Sequence, residues 1–362
     1  MIKLGTAPLW VPGYFKSRAT RWFGKQSAKR VWVSINDHYE PLGGGVSLQQ
    51  AEERVARWTD RWPVIADSVP RDASGLRPKY SFFYPQEEYR PSLLEPLAEM
   101  TRYGVGDVEV HIHHDQESAE GFREKITTFK KQLRETHGLL HDVNGQVGFA
   151  FIHGNWALDN SLPGGSWCGL TGEILLLKEL GCYADLTMPA LPSPAQGGIV
   201  NSIYWCKGSA DTPRSYDSGT PATVGGGVQG DLLMITGPLG VRYRDRLLPR
   251  LEMGEVAVYD PPTPYRIRRW LDLAPRIGDD IFIKLYAHGA REDNAGALLG
   301  DRSRTGSLEQ MYRWLHQICC ERGLEVHWSS AYEMYCAAMQ LMQPPVTPTQ
   351  GSVPAEDVSH AE

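Results

Sequence analysis

Short runs of alternating apolar and polar positions recur along this chain, separated by stretches with the spacing of a helix face. Val31 to Ile35, Lys79 to Phe83, Val108 to Ile112, Val147 to Ile152, Leu232 to Thr236 and Ile281 to Tyr286 read as strands, with briefer runs at Asn201 to Trp205 and Glu325 to Trp328. Helices are predicted over Ser47 to Trp62, Pro91 to Tyr103, Ser118 to Glu135, Thr171 to Leu180, Ser307 to Arg322 and Ser330 to Leu341. In the third of these, Phe122, Ile126, Phe129 and Leu133 fall on one face, and Gly138 closes the segment. Ser47 is placed to cap the first helix, and Pro63 to stop it. Strands alternating with helices predict an α/β fold with a mainly parallel sheet.

Outside that alternation, residues 1–30 read as a basic and aromatic arm, 31–342 as the folded body and 343–362 as a disordered tail. Within the body, the Gly-, Ser- and Pro-rich stretch 207–230 reads as an insertion or lid. The net charge of −6 argues against nucleic acid as a partner, although Lys3, Lys16, Arg18, Arg21, Lys25, Lys29 and Arg30 could touch an anionic surface. No run of about 18 apolar residues supports a transmembrane segment, and the first residues do not form a convincing signal peptide. The six cysteines lack metal-type CxxC spacing and read as buried reduced thiols, so a cytoplasmic protein is expected.

The candidate chemistry gathers at strand ends. Asp37, the group His111 to Asp115, His153, Asp185 and His288 each follow a predicted strand, and ligands in parallel α/β folds bind beyond those carboxyl ends. Alternation places Glu109, His111 and His113 on one face of their strand and His114 on the other. Asp37 with His111 and His113 would make a metal set of two imidazoles and one carboxylate, with positions open for water and substrate. Such a set suits a divalent metal, zinc first, with cobalt, nickel or iron as alternatives. His38 and His114 are alternative ligands or partners that orient one. His288 could act as a general acid, while His153 and Asn155 fit a turn or a substrate contact. Lys284, a charge in an apolar strand, needs a carboxylate partner or a substrate oxyanion. Asp159 and Asp185 read as caps or turn residues.

Ser34 to Asp37, Tyr80 to Phe83 and Glu109 to His113 resemble motifs of the polysaccharide deacetylase superfamily of the NodB-homology type, with the order of elements matching over roughly residues 31–330. More narrowly, DHYEP, VEVHIHHD, FIHGNWALDNS, CGLTGEILLLKELGCYADLTMPA and KLYAHGA together resemble a bacterial group of glycoside hydrolase/deacetylase-type barrels. That resemblance implies a distorted, incomplete (β/α) barrel and a metal-dependent N-deacetylase acting on an acetylated carbohydrate of surface-polysaccharide metabolism. It aligns Asn36 and Asp37 with the family's paired aspartates, the first a base and the second a ligand. An amide cannot accept a proton from water, so the alternative alignment makes Asp37 the base and His38 the ligand. The family's second histidine would fall at Glu117, so either Glu117 ligates or His111 replaces that histidine. Two other functions are compatible with the residues. One is a glycoside hydrolase using Asp37 with Asp159 or Asp185. The other is a non-catalytic carbohydrate-binding protein whose 11 tryptophans and 16 tyrosines could line a sugar groove.

Overall fold

The structure, a computed structural model, describes residues 6–23, 28–243, 249–301 and 306–344. Its centre is the strand Arg30–His38, which runs parallel to Asp280–Ala287 on one side. On the other side its first half pairs with Glu325–Trp328 and its last residues with Tyr80–Pro85, both parallel. The parallel order continues through Gly106–Ile112, Gln146–His153, Cys182–Asp185 and Leu232–Ile235. Antiparallel strands extend both ends, Arg276–Ile277 at one and Ile203–Cys206 with Gly219–Pro221 at the other. The mixed α/β class and the mainly parallel sheet therefore agree with the hydrophobic pattern.

Alternation divides the side chains between two cores. Phe82, Val108, Val110, Ile112 and Phe151 pack with Trp58, Trp62, Leu97 and Phe129 of the flanking helices. Phe83, Ile152, Tyr183, Ile235 and Phe282 point the other way, against Met334 and Ala338 of the helix Ala331–Met342. The first set forms the outer face of the sheet and the second the inner face.

Several expectations give way to packing. Residues 1–30 are not simply an arm: Ala7–Phe23 is helical despite Pro12, held by Trp10 against Leu191, Val200 and Leu239 and by Arg21 donating to the carbonyls of residues 272–274. Pro63 does not end its helix, which runs from Leu48 to Ser68 with Ser47 as cap. The interior proline costs about 3 kcal/mol, but Ile65, Ala66 and Val69 beyond it are buried, and a single buried Ile returns roughly 1.5–3 kcal/mol. The 207–230 stretch is partly structured. Ser215 binds Asp159, Gly219–Pro221 joins the sheet, and Gly225 and Gly227 donate to Leu341 and Met342 at the end of the last helix. The tail beyond Pro344 lies outside the described residues, as do Lys3 and Lys25 of the basic cluster.

Candidate metal centre

Parallel pairing brings the five polar strand ends to one rim. Asp37 is level with Ala287, His111 with Ile152, Ile112 with His153, and Phe151 with Asp185. The rim nevertheless has two faces. Asn36, His38 and Glu40 share a parity and reach the inner side, while Asp37 turns outward. Its carboxylate accepts hydrogen bonds from Tyr80 Oη at 2.7 Å and from the Gly289 amide at 2.8 and 2.9 Å. The packing there is tight enough that a Cβ on Gly289 would stand 2.2 Å from Asp37 Oδ2 and 2.5 Å from Trp58. Asp37 therefore does not meet His111 and His113, either as ligand or as base; it ties down the loop that carries His288.

The carboxylate that does meet them is Glu40, whose Oε1 lies 3.5 Å from Nε2 of both histidines. Tyr39 binds the neighbouring strand through its amide, and Arg54 donates to Pro41 O and Gly43 O, which fixes the turn behind Glu40. His111 Nδ1 faces the carbonyl of Ile152 at 3.0 Å. A carbonyl only accepts, so Nδ1 carries the proton and Nε2 is a bare lone pair. That Nε2 is buried and has no hydrogen-bond partner. His113 repeats the arrangement: Nδ1 meets Glu87 Oε1 at 2.5 Å and Nε2 turns to Glu40. Donating the second ring nitrogen to a carbonyl or carboxylate is how metal-binding histidines are oriented. Two ligands about 2.1 Å from one metal at the tetrahedral angle stand about 3.4 Å apart, close to both observed separations. The donor set fits a divalent transition metal.

Around this trio, the His38 ring lies 4.9 Å from that of His111 and 4.8 Å from that of His288, and its buried Nδ1 has no partner. His38, Glu40 and His288 form a second possible ligand group that shares the carboxylate. Trp156 stands 6.4 Å from His38 between ring centroids. Burial would raise the Glu40 carboxyl, but the imidazoles around it, His111 and His113 foremost, hold it far below the usual range. Burial alone would lower His113, yet Glu40 and Glu87 hold it up at about 10, so in the absence of a metal a proton fills the same gap. Burial pushes His288 down to about 4, against the pull of Glu40. Its Nδ1 lies 3.9 Å from Glu255 Oε1. At neutral pH His288 is thus a proton acceptor rather than the standing general acid expected of it.

The remaining expected residues lie apart from Glu40. Lys284 is on the inner face, pushed down to about 7 by burial and donating to Met188 O at 3.2 Å. Glu117 does not ligate; it pairs with Lys125 and accepts from the Ser118 amide at a helix start. His114 and His153 face outward with Cys168 and Glu173, and the Asn155 amide contacts His153 Nδ1 at 3.2 Å. Asp159 accepts from Gly172, Glu173 and Ser215, and Asp185 from Thr187, as expected of cap or turn residues. Glu40, Glu87, Cys168, Glu173 and Glu255 were not among the residues expected at these sites. For Glu40 the signal was available, since it follows His38 at the inward parity immediately before Pro41.

No protein-family model and no curated protein sequence matches the chain, so the resemblance to polysaccharide deacetylases rests on the quoted motifs alone. Among solved structures, the chain is similar to an alpha-mannosidase from Enterococcus faecalis V583, at 10% identity and a TM-score of 0.45 over 88% of this chain. It spans 30% of that protein's length. No helix among the described residues is long and apolar enough to cross a membrane.

Proposed function

We propose that this chain is a metal-dependent hydrolase that removes an acetyl group from an N-acetylated carbohydrate, on an incomplete barrel of the deacetylase type. One observation carries the reading: His111 and His113 both commit Nδ1 to an oxygen acceptor and aim Nε2 at the same Glu40 oxygen. A divalent metal held there, zinc first, would polarise a carbonyl and supply an activated water.

The protein groups divide the remaining work. Glu87 fixes the ring of His113, and the Ile152 carbonyl that of His111. His113 is about a third exposed at 32%, so the trio opens to solvent on that side. Neutral His288, backed by Glu255, can take a proton from the attacking water and return it to the leaving nitrogen. Trp156 offers an aromatic face beside His38 on which a sugar ring can pack.

The test is metal analysis of the purified protein, followed by assay of acetate and of shortened sugar chains released from acetylated oligosaccharides. Stoichiometric metal, with acetate release abolished by chelation, is expected. A protein without metal whose activity ignores chelators overturns the reading, and release of shortened chains in place of acetate reassigns it as a glycoside hydrolase.

A further inference from the structure

On the outer face of the same rim, His114, His153, Cys168 and Glu173 close around a point that the proposed reaction does not use. All four are buried, with their ligating atoms within 4.8 Å of one another. We propose that these four side chains form a second, enclosed site for a thiophilic divalent metal such as zinc, with a structural role.

The geometry of each donor supports this assignment. His114 Nδ1 donates to the Cys168 carbonyl at 3.1 Å, and Nε2 donates to Glu173 Oε1 at 3.0 Å, so in metal-free protein a proton stands where a metal would replace it. Cys168 Sγ receives two backbone amides, from Asn160 at 3.3 Å and Leu170 at 3.4 Å. Burial and the Glu173 carboxylate push the Cys168 thiol up, while the two N–H groups aimed at the sulfur work against that rise. A metal ion bound between Sγ and Glu173 would offset both opposing causes and hold the thiolate, the form that binds metal. Sγ lies 3.5 Å from Glu173 Oε2, and a sulfur at about 2.3 Å and an oxygen at about 2.1 Å from one zinc stand about 3.6 Å apart. The fourth position belongs to His153, whose buried Nε2 has no partner and lies 4.0 Å from Glu173 Oε1. Ligation through that atom moves the ring proton to Nδ1 and gives up the 3.2 Å contact from the Asn155 amide.

Four protein donors with no open position are the pattern of a structural site rather than a catalytic one. The ligands come from two strand ends, a loop and a helix start, so an ion there would pin the wall behind the first centre. His114 follows His113 directly, and Gly154, next to His153, lies against the His113 ring so closely that a Cβ would meet it at 2.4 Å.

Cobalt distinguishes the two centres, because only the second contains sulfur. Metal-free protein carrying Cys320→Ser and Cys336→Ser, which removes the exposed thiols, is reconstituted with cobalt(II). About two ions per chain are expected, with a thiolate-to-cobalt charge-transfer band. Adding Cys168→Ser should remove the band and one ion, and His153→Ala should shift the band. His111→Ala with His113→Ala should remove the other ion and keep the band. X-ray absorption of the zinc-loaded parent should show sulfur in the coordination shell, a readout independent of whether Cys168→Ser folds. Absence of the band and of sulfur ligation, or a band that survives Cys168→Ser, overturns the proposal and leaves the Glu40 centre untouched.

Discussion

Replacing Glu87 tests the first centre without touching a ligand. The Glu87 carboxylate accepts from His113 at Nδ1, at 2.5 Å, and at the backbone amide, at 3.2 Å, and its side chain is 38% exposed. It contributes little to the core, so its removal should act on metal affinity rather than on folding. Losing a partner of this kind costs roughly 10- to 100-fold in affinity, or about 1.4–2.8 kcal/mol. Glu87→Gln keeps an oxygen acceptor and loses the charge, which places it near the tenfold end. Glu87→Ala loses both and belongs near a hundredfold. Competition against a chromophoric chelator measures the affinities, with the remote, exposed Glu99→Gln as control. In metal-stripped protein the same contact acts through protonation. Glu40 and Glu87 hold folded His113 at about 10 against its burial, above its unfolded value of about 6.5. The resulting stabilisation is fully present below about pH 6.5 and lost as pH rises through about 10. Glu87→Ala should shrink the stabilisation across that window, read as the thermal midpoint against pH. An unchanged metal affinity in Glu87→Ala would refute the orientation argument.

Glu40→Gln should lose the first metal, whereas Asp37→Asn should retain it, as elemental analysis of the two proteins would show. Burial raises the Asp37 carboxyl to about 7, above its unfolded value of about 3.9. Its relative contribution to stability is therefore greatest at low pH and is lost as pH rises through about 7, so Asp37→Asn should gain on the native protein between pH 5 and pH 8 in urea titrations. Gly289→Ala forces a Cβ onto Asp37 and Trp58. It should cost roughly 1–3 kcal/mol by overpacking, visible as a lower urea midpoint, and should displace His288; an unchanged midpoint would contradict the close contact.

The runs that define the parallel strands were legible because the parity packed under the helices stays apolar along each of them, while the inward parity admits polar residues such as Ser34, Glu109 and Lys284. The shared rim followed from the same pattern, since parallel strands deliver their last residues to one edge. What the linear pattern concealed was the choice of face at that edge. Parity assigns His111 and His113 inward, and the same rule applied to the central strand selects Asn36, His38 and Glu40 over Asp37. The acidic residue nearest the strand end drew attention, although the inward carboxylate comes three residues later, beyond the last ladder residue His38. Cys168 and Glu173 were illegible for another reason. They arrive from a loop and a helix start whose path depends on Asp159 binding the amides of residues 172 and 173 and Ser215, contacts distant in sequence. The adjacent histidines 113 and 114 show what parity does at this rim. One peptide bond separates a ring that joins Glu40 on the inner side from a ring that joins Glu173 on the outer side. A shift of the strand by one residue would exchange them and dismantle both clusters, so the pairing register that fixes the fold also fixes the chemistry on each face.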